Sequence, residues 1–152
     1  MARAATLLAT WFGSGKLPKA PGTWGALAAL PFAWVIVALA GDTGLLLAAI
    51  LLFAAGCWAA DSEAAMAGAR DPSWVVVDEV VGQWLTLVLV PLHLLDYFVG
   101  FLLFRLFDIW KPWPVSWSER RFGGGFGIMI DDVLAAAYAI AVFEIGRALL
   151  ER

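Results

Sequence analysis

The sequence predicts an all-α, polytopic integral membrane protein: a bundle of about five short membrane segments, arranged as two helical hairpins and a C-terminal helix. Of its 152 residues, 62% are hydrophobic and only 15% are charged, whereas soluble domains have about 45–50% apolar and about 25% charged residues. The charges are also clustered, since long apolar runs alternate with polar blocks. The length allows one domain, so we expect a single integral membrane domain over residues 1–152.

The same composition excludes several classes of protein. Disordered chains have low hydrophobicity, nucleic-acid-binding modules have a basic face, and disulfide scaffolds have several cysteines. This chain has a net charge of −3 and a single cysteine, Cys57, inside an apolar run. We therefore expect the bilayer and no nucleic acid among its partners, and the oligomeric state is left open.

The first hairpin is predicted over residues 25–60. Its apolar arms, 25–40 and 45–60, flank a turn composition, Gly-Asp-Thr-Gly at 41–44, and Asp42 is the one charge in the stretch. Each arm of 16 residues would be about 24 Å long, slightly short of a hydrocarbon core of about 30 Å. Flanking residues are therefore expected to complete each crossing.

The second hairpin is predicted over residues 80–104, where Asp96 is the one charge. The stretch could form one helix that crosses once, or two short helices that enter and return around 91–96. The second interpretation is favoured because Asp96 and His93 are costly at the bilayer centre but tolerated at the far interface. Pro91 also interrupts a helix at that point.

The last apolar run, 133–150, predicts the C-terminal helix, and the Lys and Arg residues indicate the orientation of the whole bundle. With a cytoplasmic N-terminus, the inner side receives Arg3, Lys16, Lys19, Arg70, Arg105, Lys111, Arg120 and Arg121, and the outer side receives Arg147 and Arg152. This asymmetry follows the positive-inside rule. Four tryptophans then lie near the inner ends of segments, as in an aromatic belt: Trp24, Trp58, Trp84 and Trp110.

Three polar blocks converge on the inner side in this topology: 13–23, 71–79 and 105–132. Their acids beside apolar runs are Asp78, Glu79, Asp108, Asp131 and Asp132. The pairs 78–79 and 131–132 are each expected to open a helix, where the helix dipole favours carboxylates. An ionised group beside an apolar run is nevertheless costly unless it is paired or metal-bound. Carboxylates in excess of nearby cations suit Mg²⁺, so we expect metal binding.

Two cations accompany Asp108 at spacings of three. Arg105, Asp108 and Lys111 share one helix face if the helix continues that far, and Pro112 is expected to end it. A salt-bridged helix end is the simpler interpretation. The functional interpretation gives Arg105 a bidentate contact with phosphate oxygens and makes Lys111 a point charge beside them. The glycine run 123–127 could also approach an anion closely, although such runs are commonly turns.

The residue types also limit how a phosphate ester could be hydrolysed here. The one cysteine lies in an apolar run, the one histidine lies on the expected outer side, and no Asp-x-Asp pattern occurs. A thiolate nucleophile, a pair of catalytic histidines and an aspartyl-phosphate motif are therefore disfavoured. Metal-assisted hydrolysis by carboxylates is the chemistry that these residues favour.

Four motifs, in order along most of the chain, resemble the phosphatidylglycerophosphatase A family. They are GSGKLPKAPGTWGAL at 13–27, DEVVGQW at 78–84, FRLFDIWKPWP at 104–114 and GGFGIMIDD at 124–132. The resemblance implies a Mg²⁺-dependent lipid phosphatase of the bacterial inner membrane that converts phosphatidylglycerol phosphate to phosphatidylglycerol and inorganic phosphate. Ala26 stands where the family often has Ser, which leaves Thr23 as the nearby hydroxyl. The acidic cluster at 61–63 lies outside these motifs and is not assigned to the site.

These observations together predict an active site on the cytoplasmic face. The expected catalytic residues and ligands of one or two Mg²⁺ are Asp78, Glu79, Asp108, Asp131 and Asp132, and the expected phosphate-binding residues are Arg105, Lys111, Lys16 and Thr23. Either water or a carboxylate could be the nucleophile. The main alternative is a small transporter or channel that binds ions at the acidic cluster, since intramembrane acids also line ion paths. A non-catalytic membrane protein with helix-capping acids is a further alternative.

Overall fold

The computed structural model describes residues 2–151 of the chain, which form six α-helices and one 3₁₀ turn, with no strand in that range. The helices are α1 (Ala2–Ala9), α2 (Pro21–Ala67), α3 (Val77–Leu87), α4 (Leu94–Trp110), α5 (Val115–Arg121) and α6 (Gly124–Leu150), and the 3₁₀ turn is Ser14–Lys16. The all-α class is confirmed. Arg152, which the predicted topology assigns to the outer side, lies outside the described residues.

Helix α2 is a helical hairpin. Its backbone leaves helical angles at Gly41, with φ 68° and ψ −173°, a conformation that is open essentially to glycine alone. A side-chain carbon added at Gly25 would lie 2.7 Å from Val76 Cβ, and one at Gly56 would lie 3.4 Å from Val77 Cγ2. In a straight helix these two glycines would be about 46 Å apart. Since they contact two adjacent residues at the start of α3, Val76 just before the helix and Val77 as its first residue, the chain reverses at Gly41, as the turn composition predicts.

Helices α3 and α4 form the second hairpin. The chain leaves the helix after Leu87 and re-enters it at Leu94, so the interruption around Pro91 is confirmed. The two helices are antiparallel, because Gly100, near the start of α4, faces Leu87 at the end of α3, with 3.0 Å between its added carbon and Leu87 Cδ2. Asp96 lies in the first turn of α4, where the helix dipole favours its charge.

Helix α6 begins earlier than the sequence predicts. It starts at Gly124, so the expectation that Asp131 and Asp132 open this helix is wrong. The glycine run forms its first turn because α6 packs closely on α2 there. A side-chain carbon at Gly125 would contact the backbone carbonyl of Cys57. The two acids therefore lie about two turns inside the helix, beyond the reach of its dipole.

Helix α3 lies at the centre of the bundle and packs against α2, α4 and α6. This position contradicts the assignment of Trp84 to an interfacial belt. Trp84 is only 5% exposed, and its indole Nε1–H donates to the Ala29 carbonyl at 3.0 Å. The other three tryptophans of the expected belt, Trp24, Trp58 and Trp110, are exposed. A short central helix must bury its aromatic side chain, and a segment that faced lipid would not.

Two of the described helices, α2 and α6, are long and apolar enough to cross a membrane. Five crossing segments were expected. Only two helices are counted, in part because both arms of the α2 hairpin belong to one uninterrupted helix assignment. In addition, α3 with 11 residues and α4 with 17 are only about 17 and 26 Å long. Both are shorter than a hydrocarbon core of about 30 Å. By helix length and composition, the described residues therefore contain two candidate spans.

Candidate active site

Five carboxylates from three helices meet at one end of the bundle. Helix α3 contributes Asp78 and Glu79 from its first turn, α4 contributes Asp108 from its last turn, and α6 contributes Asp131 and Asp132. Four of them are almost fully buried, with exposures of 2% for Asp132, 5% for Asp131 and 8% for Asp78 and Asp108. Carboxylates buried to this degree require a compensating partner.

The five acids form two overlapping groups. One carboxylate oxygen from each of Asp78, Asp131 and Asp132 lies within 4.8 Å of the others, and the same holds for Glu79, Asp108 and Asp132. Asp132 belongs to both groups. Each group offers only oxygen ligands, which hard divalent cations prefer, so the arrangement could hold a metal ion on either side of Asp132.

Several oxygens of these acids lack hydrogen-bond donors. Asp78 Oδ1, Glu79 Oε2 and Asp132 Oδ2 are buried and accept no hydrogen bond from the described part of the chain. Leaving a buried charged acceptor unsatisfied is costly. A divalent cation would satisfy these oxygens, and the all-carboxylate donor set matches Mg²⁺ chemistry. The residues present therefore fit the expected metal.

Arg105 lies against the second group of acids. It precedes Asp108 by about one turn of α4 and pairs with it, and its Nη1 is also 3.8 Å from Glu79 Oε1. The start of α2 closes over this pair. A side-chain carbon at Gly22 would contact Glu79 Oε1 and lie 3.2 Å from Arg105 Nη1. Glycine at the start of α2 thus lets three helices approach the same carboxylate.

Lys111 lies against the first group. It follows α4 directly, so the helix ends where Pro112 predicts, and its Nζ donates to Asp131 Oδ2 at 2.9 Å and to Glu119 Oε1 at 3.0 Å. Burial alone would lower the pKa of Lys111, but the charges and hydrogen bonds of Asp131 and Glu119 outweigh it and raise the pKa above its usual value. Lys111 therefore remains a cation at neutral and moderately alkaline pH.

The remaining two residues of the expected site lie at its margin. Across residues 2–151, no hydrogen bond or ion pair joins the side chain of Lys16 or Thr23 to the five acids. Lys16 is exposed and lines an open pocket with Pro21, Ser73 and Trp74. Thr23 is half-buried and directly follows Gly22. The structure thus brings together the acids, Arg105 and Lys111, and among the described residues it gives Lys16 and Thr23 no hydrogen bond or ion pair with them.

A pocket with several charged residues in its lining lies beside Asp131 and does not follow from the sequence. Its volume is about 270 Å³, and its lining includes Arg70, Asp71, Glu119 and Arg120. The Arg70 guanidinium donates to the carbonyls of Glu119, Arg120 and Phe122 at 3.0, 3.3 and 2.8 Å, which ties α5 to the loop before α3. The sequence gives little indication of this pocket. Its charged residues lie in separate polar blocks, and they come together only because α5 packs beside α6 in the fold.

The acidic cluster at 61–63 has a supporting role. Asp61 Oδ1 accepts the backbone N–H of Gly125 at 2.5 Å, at the start of α6. Glu63 accepts the Thr6 hydroxyl at 2.5 Å and the Trp74 indole N–H at 2.8 Å. These contacts fix α1, α6 and the loop before α3 relative to α2.

Comparisons with known proteins identify one family. The profile of the family described as Phosphatidylglycerophosphatase A matches residues 7–147. The chain is 39% identical over 137 residues to the Phosphatidylglycerophosphatase A of Escherichia coli (strain K12), covering 90% of this chain and 79% of that protein. It is 42% identical over 137 residues to the protein of the same name from Haemophilus influenzae, with coverages of 90% and 84%. A Bacteroides thetaiotaomicron protein, named as a candidate phosphatidylinositol-3-phosphatase, is 45% identical over 150 residues, with coverages of 93% and 92%. No solved structure matches the chain.

Proposed function

Because the chain belongs to the phosphatidylglycerophosphatase A family, we propose that its five clustered acids are the catalytic centre. The family assignment makes the protein a phosphoric monoester hydrolase that dephosphorylates phosphatidylglycerophosphate in phospholipid synthesis. One observation carries this proposal: carboxylates from three helices converge around Asp132 with buried oxygens that accept no hydrogen bond. A purely structural cluster of acids would be costly to bury without partners.

The proposed cofactor is Mg²⁺, as one or two ions. Asp78, Asp131 and Asp132 would hold one ion, and Glu79, Asp108 and Asp132 would hold the other. A divalent cation at such a site supplies charge neutralisation for a phosphoryl group and makes a water molecule more acidic. The oxygen-only donor sets and the orphaned oxygens support this assignment.

The cations of the site are proposed to bind the phosphoryl group. Arg105 presents a fork of N–H donors suited to two phosphate oxygens, and Lys111 adds a fixed positive charge, so both would stabilise charge that develops in the transition state. Lys16 and Thr23 are proposed to contact the substrate from the margin, because Gly22 brings the start of α2 against Glu79 and Arg105. One of the five acids would accept the proton of an attacking water, and direct attack by a carboxylate is the alternative.

The protein is membrane-associated, and we place it across the bilayer five times, in the bacterial inner membrane. The arms of α2, 21–40 and 42–67, are about 30 and 39 Å long, and α3 with α4 forms a shorter return hairpin. The turns at Gly41 and around Pro91 lie at the end of the bundle opposite the acids. Leu95 and Leu150 line one pocket there. The acyl chains would then stay in the bilayer, and only the headgroup would reach the site, on the cytoplasmic face.

A transporter or channel is the weaker interpretation of the same acids. The acids lie at one end of the bundle, at the first turn of α3 and the last turn of α4. An ion path would require polar groups through the middle of the spans, where α2 between Gly25 and Ala40 has no charged, hydroxyl or amide side chain. The family assignment also favours the hydrolase.

The proposal is tested by phosphate release from phosphatidylglycerophosphate by the protein purified in detergent. Release should require Mg²⁺, stop on addition of EDTA and return when Mg²⁺ is added in excess. EDTA-insensitive release would contradict a carboxylate-held cation.

The variant Asp132→Asn tests the cluster itself. Because Asp132 belongs to both groups of acids, its loss should lower kcat by more than about 100-fold, the upper end of what outer-shell residues contribute at metal sites. Asp42→Asn is the matched control, since Asp42 is exposed at the far turn and its loss should leave kcat unchanged. Near-normal turnover by folded Asp132→Asn would remove this residue from the catalytic centre.

A further inference from the structure

Gln83 is a buried side chain that none of the interactions above explains. Its exposure is 0%, and neither its amide Nε2 nor its carbonyl Oε1 has a hydrogen-bond partner among the described residues. Burying both ends of an amide unpaired is unfavourable. An apolar residue of the same size would fill the position better, so a purely structural role does not account for glutamine here.

The position of Gln83 in α3 connects it with the acids. It lies four residues after Glu79, so the two side chains share one face of the helix. That face packs against α4: Glu79 Oε1 is 3.8 Å from Arg105 Nη1. Three residues beyond Gln83, Thr86 Cγ2 is 3.9 Å from a side-chain carbon placed on Gly100. Gln83 lies between Glu79 and Thr86 on the same face of α3, so we infer that its buried side chain faces α4, about one helical turn from Glu79.

The segment of α4 between Gly100 and Arg105 has no polar side chain, and buried groups without hydrogen-bond partners lie on the side of the acids. The buried residues of α4 between Gly100 and Arg105 are Phe101 and Phe104, whose rings accept no ordinary hydrogen bond. On the side of the acids, Glu79 Oε2 is a buried acceptor without a donor, and Arg105 Nε is a buried donor without an acceptor. The donor Nε2 of Gln83 is thus complementary to the acceptor Oε2 of Glu79, and the acceptor Oε1 of Gln83 is complementary to the donor Nε of Arg105.

We propose that Gln83 is a positioning residue of the phosphatase site. Its Nε2–H donates to the Glu79 carboxylate, and its Oε1 accepts the Nε–H of Arg105, when the site holds its cation and substrate. Gln83 would thereby fix the orientation of one acid and of the guanidinium that binds phosphate. This inference rests on the proposed function, because it assumes that Glu79 and Arg105 act in catalysis.

The test replaces Gln83 by methionine, which keeps the length of the side chain and removes both hydrogen-bonding groups. Binding of Mn²⁺, a spectroscopic substitute for Mg²⁺, is measured by electron paramagnetic resonance on the metal-free protein in detergent, with Tm and kcat measured alongside. We expect the metal-free Tm of Gln83→Met to equal or exceed that of the wild type. Mn²⁺ affinity and kcat should each fall about 10- to 100-fold, as for other outer-shell residues.

Thr86→Val is the matched control. Thr86 is equally buried on the same face of α3, but its hydroxyl already donates to the Gly82 carbonyl at 2.9 Å. Its replacement should leave Mn²⁺ affinity and kcat within twofold of the wild type. Gln83→Leu serves as a second variant with a different shape and the same expected losses.

The outcomes separate this inference from the proposed function. If Asp132→Asn abolishes Mn²⁺ binding while Gln83→Met binds as the wild type does, the catalytic centre stands and the role of Gln83 is overturned. If Asp132→Asn also binds Mn²⁺ normally, the proposed centre itself fails. Loss of folding in both Gln83→Met and Gln83→Leu would likewise overturn the inference, because it would show that Gln83 supports the bundle and not the site.

Discussion

Arg105 is the cation of the site that lies against two of the five acids. Its guanidinium pairs with Asp108 and approaches Glu79, so it balances two of the five acids before any substrate binds. The planar fork of an arginine has five N–H donors, which allows contacts with two carboxylates and a phosphoryl group together. A lysine ammonium is a single point charge and cannot span the same positions.

The conservative change Arg105→Lys is therefore expected to be damaging. The charge is kept, but the simultaneous contacts are lost, and we expect kcat to fall by about tenfold or more, the scale of a lost charged hydrogen bond. The measurement is steady-state phosphate release at saturating Mg²⁺, with Tm as the check on folding. Arg147→Lys is the matched control, because Arg147 pairs with Glu144 at the C-terminal end of α6, far from the acids. Equal kcat values for the two variants would show that the fork of Arg105 is not used.

The convergence of the acids could be predicted from the sequence, but their grouping could not. Asp78, Glu79 and Asp108 lie at helix ends beside apolar runs, and a hairpin brings those ends together whatever the details of packing. That Asp132 belongs to both groups depends on how α6 is rotated against α3. The sequence does not encode this rotation in any local pattern. For the same reason the position of Lys16 outside the cluster could not be foreseen.

At the level of the helices, close approach of backbones determines where the acids lie. Helix α6 begins with glycines because its first turn lies against α2, where the carbonyl of Cys57 occupies the space of a side chain at Gly125. Asp61 accepts the N–H of the same glycine. This contact fixes the position of α6 along its own axis relative to α3. It thereby also fixes the positions of Asp131 and Asp132.

Gly125→Ala should therefore impair both stability and catalysis. The added methyl meets backbone and not a flexible side chain, so we expect a loss of about 1–3 kcal/mol, as for other overpacked sites, together with reduced kcat because α6 must move. Gly146→Ala lies in the same helix with open space around it. It should be neutral, or stabilising by up to about 1 kcal/mol because alanine favours helix. Unfolding in mixed detergent micelles and phosphate release measure the two effects. If both variants behaved alike, the contact of α6 with α2 would not control the site.

The hairpins are the part of the fold that local sequence determines. Gly41 supplies a backbone conformation that other residues avoid, and Pro91 interrupts the helical hydrogen bonds, so both reversals follow from residues at the turn itself. The start of α6 was missed because a glycine run predicts a loop on local grounds. Its helical state depends on a neighbour, α2, that is distant in sequence. Trp84 was misplaced for a similar reason, since its burial follows from the central position of α3.

For the whole molecule, the distribution of side-chain size indicates where lipid lies. The buried residues of α2 are mostly glycine and alanine, while large side chains such as Leu39, Leu47 and Leu51 are exposed. Small residues at helix contacts and large apolar residues outside are typical of helices that pack within a bilayer. The 62% hydrophobic content therefore reflects the surface of the molecule as much as its core.

The five-segment arrangement makes a prediction about accessibility from the two sides of the membrane. In a protein carrying Cys57→Ala, a single cysteine is introduced in turn at Asp42, Leu92 and Arg120. Each variant is treated with a membrane-impermeant maleimide, both in intact cells with a permeabilised outer membrane and in inverted inner-membrane vesicles. All three positions are exposed. Asp42 and Leu92 lie at the two turns opposite the acids, and Arg120 lies beside them. In the five-segment arrangement, Asp42→Cys and Leu92→Cys should react only from outside, and Arg120→Cys only from inside. This requires α4 to cross the bilayer. Although α4 is short for a span, it can cross if its flanking polar ends extend it or if the bilayer is locally thinner. Reaction of Leu92→Cys and Arg120→Cys from the same side would mean that α4 does not cross, and the site would then belong to a protein with fewer spans.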